Sequence, residues 1–187
     1  MGGLAGLFGL RRRDPHEQAG FRLYGAAVAA ARTPRFYAVL GVPDTLDGRF
    51  DMVGLHVFLL IDRLRRATPP GPALAQSVFD AMFSDMDVNL REMGVGDLTV
   101  GKRVRAMWEA FHGRCAAYEG PLEAADEVGL AAAIARNVWR GAAPPPGAAE
   151  ALARAARRQQ LHLAAQPMAA FEAGAAAFLA DAEAAAA

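Results

Sequence analysis

One stretch of this 187-residue chain, residues 75–119, concentrates the side chains that could carry out chemistry or binding. Its first half is acidic, and its second half begins with Gly101, Lys102, Arg103 and Arg105. Apolar residues recur every three or four positions on both sides of a glycine-rich turn, which predicts a helical hairpin with its charges outward. The polar side chains that we expect to contact a partner are Asp80, Asp85, Asp87, Asn89, Arg91, Glu92, Asp97 and Lys102.

Several carboxylates on one helix raise the possibility of a metal site or of acid–base chemistry. Asp80, Ser84, Asp87 and Arg91 share one helix face, and Asp87 and Arg91 are spaced to form an ion pair. Metal sites in helical bundles combine carboxylates with histidines from facing helices. The histidines here are scattered: His16, His56, His112 and His162. The pattern favours an acidic docking face, with a solvated or internally paired face as the alternative, and predicts no metal ligand.

The segment from Gly96 to Lys102 matches the spacing of a phosphate-binding loop. In such loops a strand leads into the glycines, and a hydroxyl after the lysine binds magnesium. Here a helix precedes the glycines and position 103 is arginine, so nucleotide hydrolysis is not favoured. Gly94, Gly96 and Gly101 are predicted instead to permit a tight turn and a close approach of helices. The basic residues at 102, 103 and 105 are expected to pair with the acids of the preceding helix; otherwise they meet a partner or lipid headgroups.

A second candidate group surrounds Gly48 and His56. Asp47, Arg49 and Asp51 are expected to cap and brace the start of a helix there. His56 lies in the most apolar helix of the chain and is predicted to be a hydrogen-bonded core histidine. A general base would need a pocket and a second partner. No catalytic residue is predicted.

The overall composition restricts the function classes. Lysines and arginines number 20 and acids number 20, which argues against a general nucleic-acid-binding protein. The sole cysteine, Cys115, cannot form an internal disulfide and is predicted to be a small, half-buried helix residue. The strongest apolar run, 52–61, is far shorter than the roughly 20 residues that span a bilayer.

The first residues of the chain do not read as a secretory signal, because the arginines follow the apolar stretch. Two expectations remain for this leader. It is either flexible or it contacts a membrane surface through Leu4, Leu7, Phe8 and Arg11.

Strand signals are nearly absent, so the predicted fold is all-α: a single compact multi-helix bundle with an alanine-rich helical C-terminal tail. Helices are expected at about 15–31, from Pro34, at 49–66 and at 73–93. Two more are expected, one capped by Thr99 and one opened by Pro121 and ending near 140. The expected division is a leader (1–14), a helical domain (15–140), a proline-rich linker (141–147) and the tail (148–187).

Two blocks of sequence resemble the ubiquinol-cytochrome c chaperone family. The first runs from Phe36 and Tyr37 through 41–51 and on to His56; the second covers 79–102. The resemblance spans about 34–140, and its motif residues are Phe36, Tyr37, Gly48, Asp51, His56, Gly94, Gly96 and Gly101. With no obvious mitochondrial presequence, the chain resembles a bacterial form of the alphaproteobacterial type.

The resemblance implies an all-helical chaperone domain that binds newly made cytochrome b, or another subunit of respiratory complex III, and uses no cofactor. In mitochondria it implies a small partner protein and a position near the ribosomal exit tunnel. We expect the chain to act at the cytoplasmic face of the inner membrane. Exposed Met and Phe side chains beside the acidic face would suit a transient grip.

Two alternatives stay open from the sequence. One is a general helical adaptor that joins proteins. The other is an enzyme that holds a lipid or quinone between helices, which would need a deep pocket around His56 and Asp51.

Overall fold

The computed structural model describes residues 15–180, and within that range all regular elements are α-helices, as the sequence predicts. In chain order they are α1 (Glu17–Ala31), α2 (Pro34–Ala38), α3 (Leu46–Arg65), α4 (Gly71–Glu92), α5 (Asp97–Glu123), α6 (Glu127–Val138), α7 (Ala148–Ala165) and α8 (Met168–Glu172). The leader residues Leu4, Leu7, Phe8 and Arg11 lie outside the described part of the chain.

Helix α3 is the centre of the bundle and packs against α1, α4, α5, α6 and α7. Its apolar residues occur all round the helix, so every side must be covered by a neighbour. One continuous core results, in which α3 is joined by large, fully buried side chains from the other helices: Leu23, Leu74, Met82, Tyr118, Leu122, Leu130 and Phe171. Burial of this apolar surface is the main favourable contribution to folding.

The start of α3 differs from the prediction. Thr45 is the N-cap, and its hydroxyl accepts a hydrogen bond from the amide of Gly48 at 3.1 Å. The helix therefore begins at Leu46 rather than near 49. Asp47 and Asp51 do not cap it, because a threonine hydroxyl already bonds the free amide of the first turn.

The boundaries of α5 and α6 also correct the sequence analysis. Gly96, not Thr99, precedes α5, and Pro121 lies inside α5 rather than opening a new helix. The last turn of α5 is retained because Leu122 is buried there. The true break is at Ala125, whose φ is +53°, and Asp126 then caps α6 by accepting from the amide of Gly129 at 2.9 Å.

Beyond α6 the chain returns to the bundle. The indole of Trp139 donates to the carbonyl of Gly41 at 3.0 Å, just before the proline-rich connection. Helix α7 then packs on α3 and α6, with Leu152 and Leu163 in the common core. Among the helices of residues 15–180, none combines the length and the apolar character that crossing a membrane requires.

Candidate functional site

The turn between α4 and α5 is a glycine C-cap. Gly94 has φ +77°, its amide donates to the carbonyl of Arg91 at 2.9 Å, and the amide of Val95 donates to that of Leu90 at 3.1 Å. This pair of bonds is the Schellman motif, which needs a left-handed residue that glycine supplies without strain. The predicted tight turn is confirmed at Gly94.

Gly101 has a different environment from the one predicted. It lies within α5, and a Cβ atom at this position would meet no heavy atom within 4 Å. Gly96, at the N-cap, has equally open surroundings. Neither glycine permits a close approach of helices, so that part of the prediction is wrong: nothing packs against this end of α5 closely enough to require it.

Arg91 is the centre of the charges at the turn. Its Nε donates to Asp87 at 2.7 Å, as the four-residue spacing predicts, and another nitrogen of its guanidinium contacts Asp97 at the start of α5. The predicted electrostatic closure by residues 102, 103 and 105 is wrong. In the described chain Arg105 pairs with Glu109 at 3.0 Å, and neither Lys102 nor Arg103 forms an ion pair with α4. Asp97 is close enough to Arg91 to take that role.

The remaining polar candidates differ in their surroundings. The hydroxyl of the buried Tyr24 donates to Asp85 at 2.7 Å, so Asp85 links α4 to α1. Burial, and to a smaller extent this hydrogen bond, raises the pKa of Tyr24 above its ordinary value. Asp80 accepts from Gln76 at 2.8 Å. Asn89 donates to the carbonyl of Asp85 at 2.7 Å. Glu92 and Lys102 are exposed.

Exposed apolar side chains surround the same turn. Val88 is 49% exposed, Met93 52% and Leu98 94%. We call these three residues, with the ion pairs of Asp87, Arg91 and Asp97, the α4–α5 surface. Sequence reasoning singled out the charges but missed Val88 and Leu98. The signal was present, since both residues lie off the apolar stripe of their helix.

The methionines and phenylalanines of α4 contribute less to this surface than expected. Met82 and Met86 are buried in the core. Phe79 and Phe83 are only partly buried but stack on each other, with ring centroids 4.6 Å apart, and both contact Phe111 of α5. Of the exposed large apolar side chains of this hairpin, Met93 and Leu98 therefore lie at the turn, Val88 lies on α4 and Trp108 lies farther along α5.

Asp51 of the second motif block is a buried ion-pair centre. It is 0% exposed and accepts from Arg140 at 2.7 and 3.1 Å, while Arg114 lies 2.7 Å away. Burial raises the pKa of Asp51, and the two guanidinium groups oppose that shift by stabilising the carboxylate. Asp47 pairs with Arg140 at 2.7 Å, and Arg49 pairs with Asp44 at 2.6 Å. Asp47 and Asp51 therefore link α3 to Arg140 rather than capping the helix, whereas the Arg49–Asp44 pair braces the start of α3 as expected.

His56 is a core histidine, as predicted. It is 3% exposed, its Nδ1 donates to the carbonyl of Met52 at 2.8 Å, and its ring lies between those of Phe36 and Phe178 at 5.6 and 5.5 Å. Burial lowers the pKa of His56 to about 4. Because His56 and Asp51 are both enclosed, they do not line the open polar pocket that a lipid or quinone enzyme would need.

The other motif residues and the cysteine have structural surroundings. The Tyr37 hydroxyl donates to the carbonyl of Ala31 at 3.0 Å. Gly48 is required sterically, since a Cβ atom there would lie 2.0 Å from the carbonyl oxygen of Pro43. Cys115 is half-buried, and burial raises its pKa to about 12, so the thiol stays protonated. In the part of the chain that the structure describes, no three His, Cys, Asp or Glu side chains are grouped to hold a metal.

Comparison with known proteins gives consistent results. The model of a family described as "Ubiquinol-cytochrome C chaperone" matches residues 38–178, farther toward the C-terminus than the expected 34–140. Ubiquinol-cytochrome-c reductase complex assembly factor 1 of Xenopus laevis is 26% identical over 141 residues, which are 75% of this chain and 70% of that protein. The mouse factor is 27% identical over 146 residues, 78% of this chain but only 49% of that protein.

A solved structure is also similar. The crystal structure of the Cbp3 homolog from Brucella abortus superimposes with a TM-score of 0.79 at 38% sequence identity. The match covers 91% of this chain and 93% of that one. A match of this coverage must include part of residues 148–180, which the sequence resemblance did not reach.

Proposed function

Since the chain belongs to the ubiquinol-cytochrome c chaperone family, we propose that it assists biogenesis of ubiquinol-cytochrome c reductase by binding newly made cytochrome b, without catalysis. The relatives named as assembly factors of that complex support the proposal. The observation that links the proposal to particular residues is the α4–α5 surface, where solvent-exposed Leu98 and Met93 lie beside the ion pairs of Arg91.

The chemistry of this surface suits a transient grip on an apolar client. Burying a side chain such as Leu98 would stabilise a complex by about 1.5–3 kcal/mol. The flexible thioether of Met93 adapts to varied apolar partners. The charged groups of Asp87, Arg91, Glu92 and Asp97 would orient the basic loops of a membrane protein and accelerate the encounter. Asp80, Asp85, Asn89 and Lys102 extend the same proposed client-binding set.

Asp85 differs from the rest of that set because it is engaged with Tyr24. A charge reversal at Asp85 would disturb the packing of α4 on α1, so loss of binding there would not identify a docking residue. Asp87 and Leu98 are better positions for a test, since their environment is solvent and the Arg91 ion pairs.

The location of the protein follows from the proposed client. We place it at the cytoplasmic face of the inner membrane, held by the client or by residues 1–14. The ribosome and a small partner protein are further proposed contacts there. A general helical adaptor remains the second candidate, and the same experiment separates the two.

The test is photocrosslinking in cells with a photoreactive amino acid at Leu98 and, as matched control, at Val128. Val128 is an equally aliphatic residue on α6 and is 81% exposed. We expect cytochrome b among the products from position 98, identified by mass spectrometry, and not among those from position 128. Capture of other membrane proteins alone from position 98 would favour the adaptor. Equal capture of cytochrome b from both positions would remove the α4–α5 surface as the binding site.

A further inference from the structure

The last described residues form an extended segment on the surface of the bundle. After α8 the chain turns at Gly174, whose φ is +66°, and residues 175–180 then run without regular secondary structure along α7. No strand pairs with them in residues 15–180, so their main-chain groups need other partners.

Two glutamines supply those partners: Gln159 of α7 and Gln166, which directly follows the last residue of that helix. The carboxamide of Gln159 accepts from the amide of Leu179 at 2.8 Å and donates to its carbonyl at 3.2 Å. The carboxamide of Gln166 does the same with Ala177, at 3.0 and 2.7 Å. Each glutamine thus bonds both main-chain groups of one residue, at alternate positions, as a neighbouring antiparallel strand would. These bonds recognise the main chain of an extended peptide and do not depend on which side chains stand at positions 177 and 179.

The side chains of the alternate residues Ala176 and Phe178 face the core, so their size and shape determine whether they fit. Ala176 is 5% exposed, which leaves room for a small side chain only. The ring of Phe178 lies 5.5 Å from that of His56, which is backed by Phe36. The groove therefore offers two glutamines that bond the main chain, which we call the main-chain clamps. It also has a position for a small side chain and a position for an aromatic ring.

We propose that the groove formed by Gln159, Gln166 and His56 is a binding site for an extended segment of another polypeptide, with a small residue two positions before a phenylalanine. In the free protein the chain's own residues 175–180 occupy this site. The segment is held by the side chains of Gln159 and Gln166, by the buried Ala176 and by the partly buried ring of Phe178, while Ala175, Ala177 and Ala180 are exposed. An incoming peptide can form the same main-chain bonds, so exchange leaves no polar group unpaired.

The test uses the whole chain and a fluorescent peptide with the sequence of residues 174–180, GAAAFLA. The variant Ala177→Pro removes the amide that donates to Gln166 without emptying any core volume. Loosening the chain's own segment should make the peptide bind about fivefold more tightly than to the unaltered protein, as expected for the loss of one hydrogen bond. Phe178→Ala should act in the same direction, and circular dichroism of both variants checks that the helices persist.

Matched controls isolate the main-chain clamps. A peptide N-methylated at the position of Leu179 lacks the amide that donates to Gln159, and we expect it to bind about fivefold more weakly. In the Ala177→Pro background, Gln159→Leu should weaken the binding of the parent peptide. Gln160→Leu should not, because Gln160 bonds to Arg157 rather than to the segment.

Three results would overturn the proposal. In the first, the folded Ala177→Pro variant does not bind the peptide even at millimolar concentration. In the second, the N-methylated peptide binds as tightly as the parent peptide. In the third, Gln159→Leu and Gln160→Leu change the affinity for the peptide equally. Sedimentation of Ala177→Pro tests exchange of segments between copies. A dimer that excludes the peptide would overturn binding of another polypeptide, and a monomer that binds the peptide supports it.

Discussion

Asp51 and His56 are buried in the same helix, and burial disfavours the charged form of both, but only Asp51 has charged partners. Asp51 is surrounded by the guanidinium groups of Arg114 and Arg140, which stabilise its carboxylate where solvent cannot. His56 has only a backbone carbonyl and two aromatic rings as neighbours, so its neutral form is favoured. Both residues belong to the family motif, and each stabilises the fold in a way that can be measured.

The neutral His56 makes stability depend on pH. Its pKa is about 4 in the folded protein and about 6.5 in an unfolded chain. Between these values the unfolded state binds more protons, so the free energy of unfolding falls as pH is lowered from about 6.5 towards 4. At pH 4 this effect of His56 lowers the free energy of unfolding by about 3 kcal/mol relative to neutral pH.

Urea denaturation at several pH values would measure this dependence in the unaltered protein and in His56→Gln. In His56→Gln the free energy of unfolding should depend less steeply on pH between 4 and 6.5. If both proteins show the same slope between pH 4 and 6.5, another group is responsible.

The second prediction at this scale concerns the buried ion pairs. Asp51→Asn should lower the free energy of unfolding by about 3 kcal/mol, because it leaves the nearly buried Arg114 without a negative partner. Asp44→Asn is the matched control, since the Asp44–Arg49 pair is exposed and should contribute little. Chemical denaturation measures both, and equal effects would mean that solvent stabilises Arg114 as well as Asp51 does.

At the scale of elements, two helical glycines show that the start of α3 is closely packed and the start of α5 is not. Gly48 allows the first turn of α3 to pack on the carbonyl of Pro43, at a distance that no Cβ atom tolerates. Gly101 occupies a similar position in α5 but faces open space. The first helix end is thus part of the packed bundle, and the second is exposed at Gly101.

The matching pair of alanine substitutions tests this difference. Gly48→Ala should lower the free energy of unfolding by about 1–3 kcal/mol through steric overlap. Gly101→Ala should raise it by about 0.5–1 kcal/mol, because alanine has the higher helix propensity and meets no obstacle. Thermal or urea unfolding gives both values, and destabilisation by Gly101→Ala would show that the start of α5 is more closely packed than the distances indicate.

At the scale of the whole molecule, the bundle is unevenly packed. Helix α3 is covered on all sides, whereas over Asp97–Ala110 of α5 only Val100 is buried. Leu90 and Val100 are buried at the turn but are not part of the main core. The α4–α5 surface therefore lies on the part of the bundle with the least apolar anchoring.

Local opening should follow this distribution. Segments with few buried apolar contacts open at lower free energy than the core. Amide hydrogen exchange should be faster in residues 98–110 than in α3, and α7 should be protected despite its alanine-rich sequence. Protection of 98–110 equal to that of α3 would contradict the uneven packing, and would favour a rigid surface over an adaptable one.

Most of the fold could be predicted from the sequence because its signals are local. Apolar periodicity identified the helices, proline and glycine placed the breaks near 34 and 94, and the spacing of Asp87 and Arg91 predicted their ion pair. The continuation of α5 through Pro121 was missed because the burial of Leu122 depends on neighbours distant in sequence. The start of α3 was missed although its cap, the Thr45 hydroxyl on the amide of Gly48, is a local contact.

The sequence alone determined the helical class, the central position of α3, the core position of His56 and the resemblance to the family. Only the tertiary structure decided that Asp51 pairs with Arg114 and Arg140, that Asp85 bonds to Tyr24, and that Gln159 and Gln166 bind the extended segment. The physical reason is sequence separation. Helices form from residues within a turn or two of one another, whereas these contacts join residues tens of positions apart, whose meeting depends on how the helices pack.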